Sequence, residues 1–182
     1  MKKLIALTLV VLLVLAGCSA AGGSSKLGLG IKTTIGSSKD LAEKDDGTKV
    51  GTAQADTTVA AVMVDADGKV IDVMVDTAQT KINFNEEGVI TSDKTVEYKT
   101  KRDLGNDYGM IKASGIGREW FEQMDAIQEW MKGKTAAQIA AMKVKDTEEH
   151  GIVPDETDLT SKATMGVETY LEVVAEALAN AK

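Results

Sequence analysis

Cysteine is nearly missing from this chain: Cys18 stands alone among 182 residues. One cysteine can neither close an intrachain disulfide nor build a thiolate metal site. Histidine is also single, which argues against a histidine metal cluster and against a serine–histidine hydrolase. That residue, His150, sits in the polar stretch Lys145–Gly151 and reads as a solvated loop residue. Proline occurs once, at Pro154. Aromatic residues make up 4% of the chain, too few for the two-lobed solute receptor of a transporter. A basic excess is missing as well, since 21 Lys and Arg face 28 Asp and Glu. A surface of that sign does not seek nucleic acid or anionic lipid by charge.

What is present begins at the N-terminus. Lys2 and Lys3 precede an apolar run from Leu4 to Leu15, with Thr8 its one polar residue, and small residues follow. That is the layout of a secretory leader. The run is shorter than the roughly 20 apolar residues of a spanning helix. Leu15-Ala16-Gly17-Cys18 resembles the bacterial lipoprotein box. The resemblance implies that residues 1–17 are a signal peptide and that Cys18 is acylated after the cut. The thiol is then unavailable as a nucleophile, and the chain is held by lipid at the extracytoplasmic face of the cell membrane. Without Lys2 and Lys3 the balance is 19 basic against 28 acidic residues, a net charge of −9. Membrane contact would therefore come from the acyl chains, at about 0.8 kcal/mol per buried methylene. Residues 18–26 read as a short polar tether, and residues 27–182 are long enough for one domain with a real core.

Within that domain the hydrophobic pattern changes period. Leu27–Ile35 has apolar residues at 27, 29, 31 and 35, which predicts a first strand. Gly36–Thr48 reads as a loop. The β-branched second half of Val50–Asp65 predicts a buried strand, and Ala66-Asp67-Gly68 a turn. Lys69–Val75 returns, with Ile71, Val73 and Val75 on one face. Gln79–Asn85 and Val89–Tyr98 read as further short strands. In Glu119–Met131, Trp120, Met124, Ile127 and Met131 fall on one helical face. Ser114 or Gly117 would precede its first turn, and Gly133 ends it. Thr135 caps a second helix running to about Met142. Lys143–Thr157 reads as an exposed connector. Met165–Ala181 predicts a last helix with Val167, Leu171, Val174 and Leu178 buried, and with capping side chains from Asp158, Thr160 and Ser161. Strands followed by helices predict an α+β fold, a mainly antiparallel sheet with helices packed on it.

Three tempting motifs fail. Gly133-Lys134-Thr135 lacks the earlier P-loop glycine, because Gln128 stands there. Ser114-Gly115-Ile116-Gly117 precedes a helix but belongs to no βαβ unit, so anion binding at its amides is the weaker reading. Asp65 and Asp67 open like a calcium loop, yet the later ligands are missing, and a hairpin turn is the better reading. No metal site is expected.

The stretch with chemical content is Asp158-Leu159-Thr160-Ser161-Lys162-Ala163-Thr164. Here the chain resembles the FMN-binding domain family, in a divergent lipoprotein branch. The family motif is roughly Asp-x-x-Ser/Thr-Gly-Ala-Ser/Thr at the start of a C-terminal helix. Asp158, Ser161, Ala163 and Thr164 match, and Lys162 replaces the glycine. Asp46-Gly47-Thr48 and the turn Asp67-Gly68-Lys69-Val70 resemble two further family features. The resemblance covers about Leu27–Lys182. It implies FMN joined to Thr164 by a flavin transferase, and an electron carrier working between redox partner proteins. Asp158 would help the transferase engage the motif, Ser161 would hold the phosphate, and Lys162 would add a positive charge beside it. The flavin would do the electron chemistry and the protein would position it. Noncovalent flavin stays open. The alternative of a different class is a non-catalytic surface binding lipoprotein with a degenerate flavin fold, and Lys162 favours it.

Overall fold

The computed structural model describes residues 25–182; the leader, Cys18 and most of the tether lie outside them. The elements are β1 (Lys26–Thr34), β2 (Lys39–Glu43), β3 (Lys49–Val64), β4 (Val70–Phe84), α1 (Lys101–Leu104), α2 (Trp120–Met131), α3 (Ala136–Ala140), β5 (Val144–Thr147), β6 (Gly151–Pro154) and α4 (Glu168–Ala179). Two short 3-10 turns, Gly105–Tyr108 and Met110–Lys112, join α1 to the stretch before α2. The fold is α+β with antiparallel sheets. Central β3 pairs β4 along one side, while β1 and β2 share the other. Hairpin β5–β6 stands apart as its own small sheet.

The β3–β4 hairpin forms where the turn chemistry predicts. The Asp65 carboxylate accepts from the Asp67 and Lys69 amides, and Gly68 takes the left-handed φ of +75° that the turn requires. Ala60, Val62 and Val64 of β3 and Val70, Val73 and Val75 of β4 form one apolar face. Helix α2 covers its β4 side with Trp120, Met124, Ile127 and Met131, the stripe read from the sequence. Each such side chain contributes about 2 kcal/mol when fully buried. Helix α4 covers the β1–β3 side with Val173, Val174 and Ala177. The expected Val167 and Val174 are buried too, and Leu171 and Leu178 lie at the margin. Thr135 caps α3 as expected, with Gln138 completing a capping box.

Strand β1 exists, but its alternation runs against the usual sense. Leu27, Leu29 and Ile31 face solvent at 68%, 50% and 52% exposure, and Gly28 and Gly30 face the core. The backbone of α4 comes so close that a Cβ at Gly28 would run into the Ala177 carbonyl oxygen. One at Gly30 would run into that of Val173. Glycine alone fits there, and it fixes which face of the strand turns inward.

Other expectations are corrected. Lys39–Glu43, inside the expected loop, pairs with β3 as β2. Lys69–Val75 and Gln79–Asn85 are parts of one continuous strand, β4, because β3 is long enough to pair with both. A bulge opposite Met63 and Val64 inserts Ile71, so Ile71 is exposed while Val70 and Val73 are buried. Val89–Tyr98 makes no strand but straps the β4 edge, the Thr91 amide donating to the Asn83 carbonyl. Helix α2 is preceded by Glu119 rather than Ser114 or Gly117. Its buried carboxylate accepts from the Met110 and Ile111 amides, and Glu122 closes a capping box. The expected connector Lys143–Thr157 holds the β5–β6 hairpin, with Val153 buried. The last helix starts at Glu168, not Met165. Val167 stands at its N-cap without a side-chain bond, so Asp158, Thr160 and Ser161 do not cap it.

Candidate functional site

Two places can carry chemistry. The first is the stretch 158–164. It forms two consecutive turns rather than a helix start: the Leu159 and Thr160 amides donate to the Glu156 carbonyl, and those of Lys162 and Ala163 to the Leu159 carbonyl. Leu159 and Ala163 point into the core, whereas Asp158, Ser161 and Lys162 are exposed. Lys162 has no positive φ, so the backbone does not ask for the glycine of the family motif. Thr164 is half-buried and firmly placed. Its amide and that of Met165 both donate to Gln123 Oε1, at 2.9 and 3.2 Å. Gln123 is fully buried in α2, and its Nε2 donates to Ser114 Oγ and the Arg118 carbonyl. The Thr164 hydroxyl makes no hydrogen bond among the described residues.

This stretch therefore offers an acceptor hydroxyl but not the cradle that the flavin resemblance implies. A phosphoester on Thr164 would sit four residues ahead of α4, outside the first turn where amides and dipole favour an anion. Asp158 and Lys162 line a shallow cleft beside Trp130 and Lys134. Thr164 lines neither that cleft nor the cavity described next.

The second place was not singled out in the sequence. The core face of the sheet is apolar only up to Ala60 and Val75. The next core-facing residues, Thr58 and Thr77, are buried and share a 2.9 Å hydrogen bond between hydroxyls. Asp56 and Gln79 continue the polar column. Because α4 starts only at Glu168, it does not cover this end of the sheet. A cavity of about 310 Å³ remains there. Its walls are the sheet, Lys101 of α1, the turn at His150–Ile152, and the segment from Gly166 to Tyr170. His150 is thus a half-buried cavity residue, not the solvated loop residue expected, because the hairpin folds its turn back over the sheet. Gly166 lies under that turn, where a Cβ would stand 2.6 Å from the His150 carbonyl oxygen.

Lys101 dominates the electrostatics. It is 9% exposed, and no carboxylate of the described residues lies within salt-bridge distance. Its Nζ donates to Tyr170 Oη at 3.3 Å and faces the rings of Tyr108 and Trp120 at 5.0 and 5.3 Å. Burial disfavours the charge, but the phenols of Tyr170 and Tyr108 outweigh it and raise the pKa above the ordinary lysine value. The ammonium is protonated at neutral pH. Across the cavity, burial pushes the Asp56 carboxyl up. Hydrogen bonds from Ser37, Gln54 and Gln79, with the Lys101 charge, more than offset this and hold it below the usual range. The signal available in the sequence was the switch from apolar to polar along one face of β3 and β4. Nothing local marks Lys101 or Tyr170.

Comparison with known proteins adds a short likeness. No protein-family model matches the chain, and no solved structure matches it. A chlorophenol reductase of Desulfitobacterium hafniense is 43% identical over 42 residues, 23% of this chain and 13% of that protein. The match spans far less than either whole protein. Among the described residues no helix is long and apolar enough to cross a membrane.

Proposed function

We propose that the chain is an extracytoplasmic, lipid-anchored binding protein whose ligand site is the polar cavity ahead of α4. The observation that supports this is the cavity itself: a sheet end with core-facing hydroxyls and a buried cation, left uncovered by the late start of α4. Ligand sites are concave, largely preformed, and fixed by a few convergent polar groups, and volumes begin at about 300 Å³. The lipoprotein box at Cys18 supports the location. The test is a thermal-shift screen of small polar metabolites on the purified chain and on Thr77→Leu, which fills the cavity. A ligand-induced rise in Tm that disappears in Thr77→Leu is the expected result. A rise that persists there places the site elsewhere.

The second reading is an electron carrier of the FMN-binding type, with Thr164 as the covalent acceptor. The placed, unbonded hydroxyl of Thr164 in its Asp-x-x-Ser-x-Ala-Thr context favours it. Bound flavin would supply one- or two-electron transfer. Intact mass after co-expression with a flavin transferase tests this. A gain of one FMN less water, absent in Thr164→Val, is what the carrier requires. No gain, with a control domain modified in parallel, removes it.

A further inference from the structure

We infer that the cavity ahead of α4 is built for a small organic monoanion, whose carboxylate sits between Lys101 and the first amides of α4. This rests on the cavity being the ligand site. Its hydrogen-bond inventory is unbalanced toward donors. Tyr170 Oη accepts from Trp120 Nε1 at 2.9 Å and from Lys101 Nζ at 3.3 Å. A phenol oxygen has two acceptor positions, so both are taken and its own hydrogen must donate. Among the described residues no acceptor receives it, and Tyr170 lines the cavity. Lys101 uses one of its three donors on that same oxygen and has the Tyr108 phenol within reach of a second, which leaves one donor free.

The third set of donors is backbone. Helix α4 lacks a side-chain cap, and the first of its amides to bond is that of Leu171, which donates to the Val167 carbonyl. The amides of Glu168, Thr169 and Tyr170 have no partner among the described residues, and all three residues line the cavity. The helix dipole adds to their preference for an anion. Of the carboxylates that could compete, Asp56 already takes bonds from Ser37, Gln54 and Gln79, and Glu168 stands at the rim, exposed to solvent. Lys101 already faces Asp56, so the unpaired donors, and not a surplus of positive charge, hold the ligand. A dianion such as phosphate would set a second charge near Asp56 and Glu168, which favours a carboxylate over it.

Titration calorimetry of the purified chain with lactate, its neutral amide and inorganic phosphate tests this. Lactate is expected to bind, to weaken as salt rises, and to bind at least tenfold more weakly in Lys101→Met. The amide and phosphate are expected to bind at least tenfold more weakly than lactate. Should Lys101→Met fail to fold, Tyr170→Phe removes the free phenol hydrogen and is expected to weaken lactate severalfold. Equal binding of amide and lactate, tighter binding of phosphate, or unchanged lactate binding in the folded variants would overturn the carboxylate assignment. So would the absence of any lactate binding. The binding-protein reading is judged separately, by whether the metabolite screen yields a ligand that Thr77→Leu excludes.

Discussion

Asp56 and Lys101 sit on the same cavity, and each keeps its charge for a different reason. Asp56 is held ionised by three hydrogen bonds and a nearby cation, which lower its pKa against the cost of burial. Its unfolded value is near 3.8. A lowered folded pKa stabilises the native state fully above the unfolded value, and the gain is lost as pH falls through the folded pKa. Asp56→Asn is therefore expected to flatten the loss of stability as pH falls below the unfolded value of 3.8. Urea titrations of both proteins across that range read the difference. At this scale the sequence was partly legible. Thr58 and Thr77 interrupt an apolar column visible in the pattern, whereas Lys101 gains its meaning only from Tyr170, 69 residues further on.

The pairing of β1 with α4 depends on two glycines, Gly28 and Gly30, and not on the neighbouring Leu27 and Leu29. Gly30→Ala is expected to cost about 2–3 kcal/mol, because the new methyl meets backbone that cannot step aside. Leu29→Ser, on the open side of the same strand, is expected to cost within about 0.5 kcal/mol. Denaturant unfolding of the two variants gives the comparison, and the reverse order would refute the strand's inward face. Helix α2 was legible because its stripe of Trp120, Met124, Ile127 and Met131 repeats on one face with no competing pattern. The start of α4 was not. Asp158, Thr160 and Ser161 are good capping residues, but their backbone amides and carbonyls are committed to turns around Glu156 and Leu159.

Taken whole, the molecule protects its sheet edges and leaves one sheet face open. Lys182 exchanges backbone bonds with Leu27, and Asn180 Nδ2 donates to the Leu29 carbonyl, so the outer edge of β1 is blunted. The strap at Thr91–Tyr98 does the same for β4, with Tyr98 donating to the Lys81 carbonyl. Covered edges discourage strand-to-strand association. The open face carries Leu27, Leu29, Ile31 and Met74. The proposed lipid anchor, Cys18, lies outside the described residues. If the lipoprotein box operates, Cys18→Ser moves the protein from the membrane fraction to the soluble fraction with its unfolding midpoint unchanged. Continued membrane association of that variant would put the anchor elsewhere.

Local signals settled the α+β class, the β3–β4 turn, the buried stripe of α2 and the Thr135 cap, since each depends on residues within a few positions of one another. Tertiary structure decided which face of β1 turns inward, where α4 begins, and that Thr58, Thr77, Lys101 and Tyr170 meet. Those outcomes are set by close backbone approach and by hydrogen bonds between residues far apart in the chain, which no local spacing records.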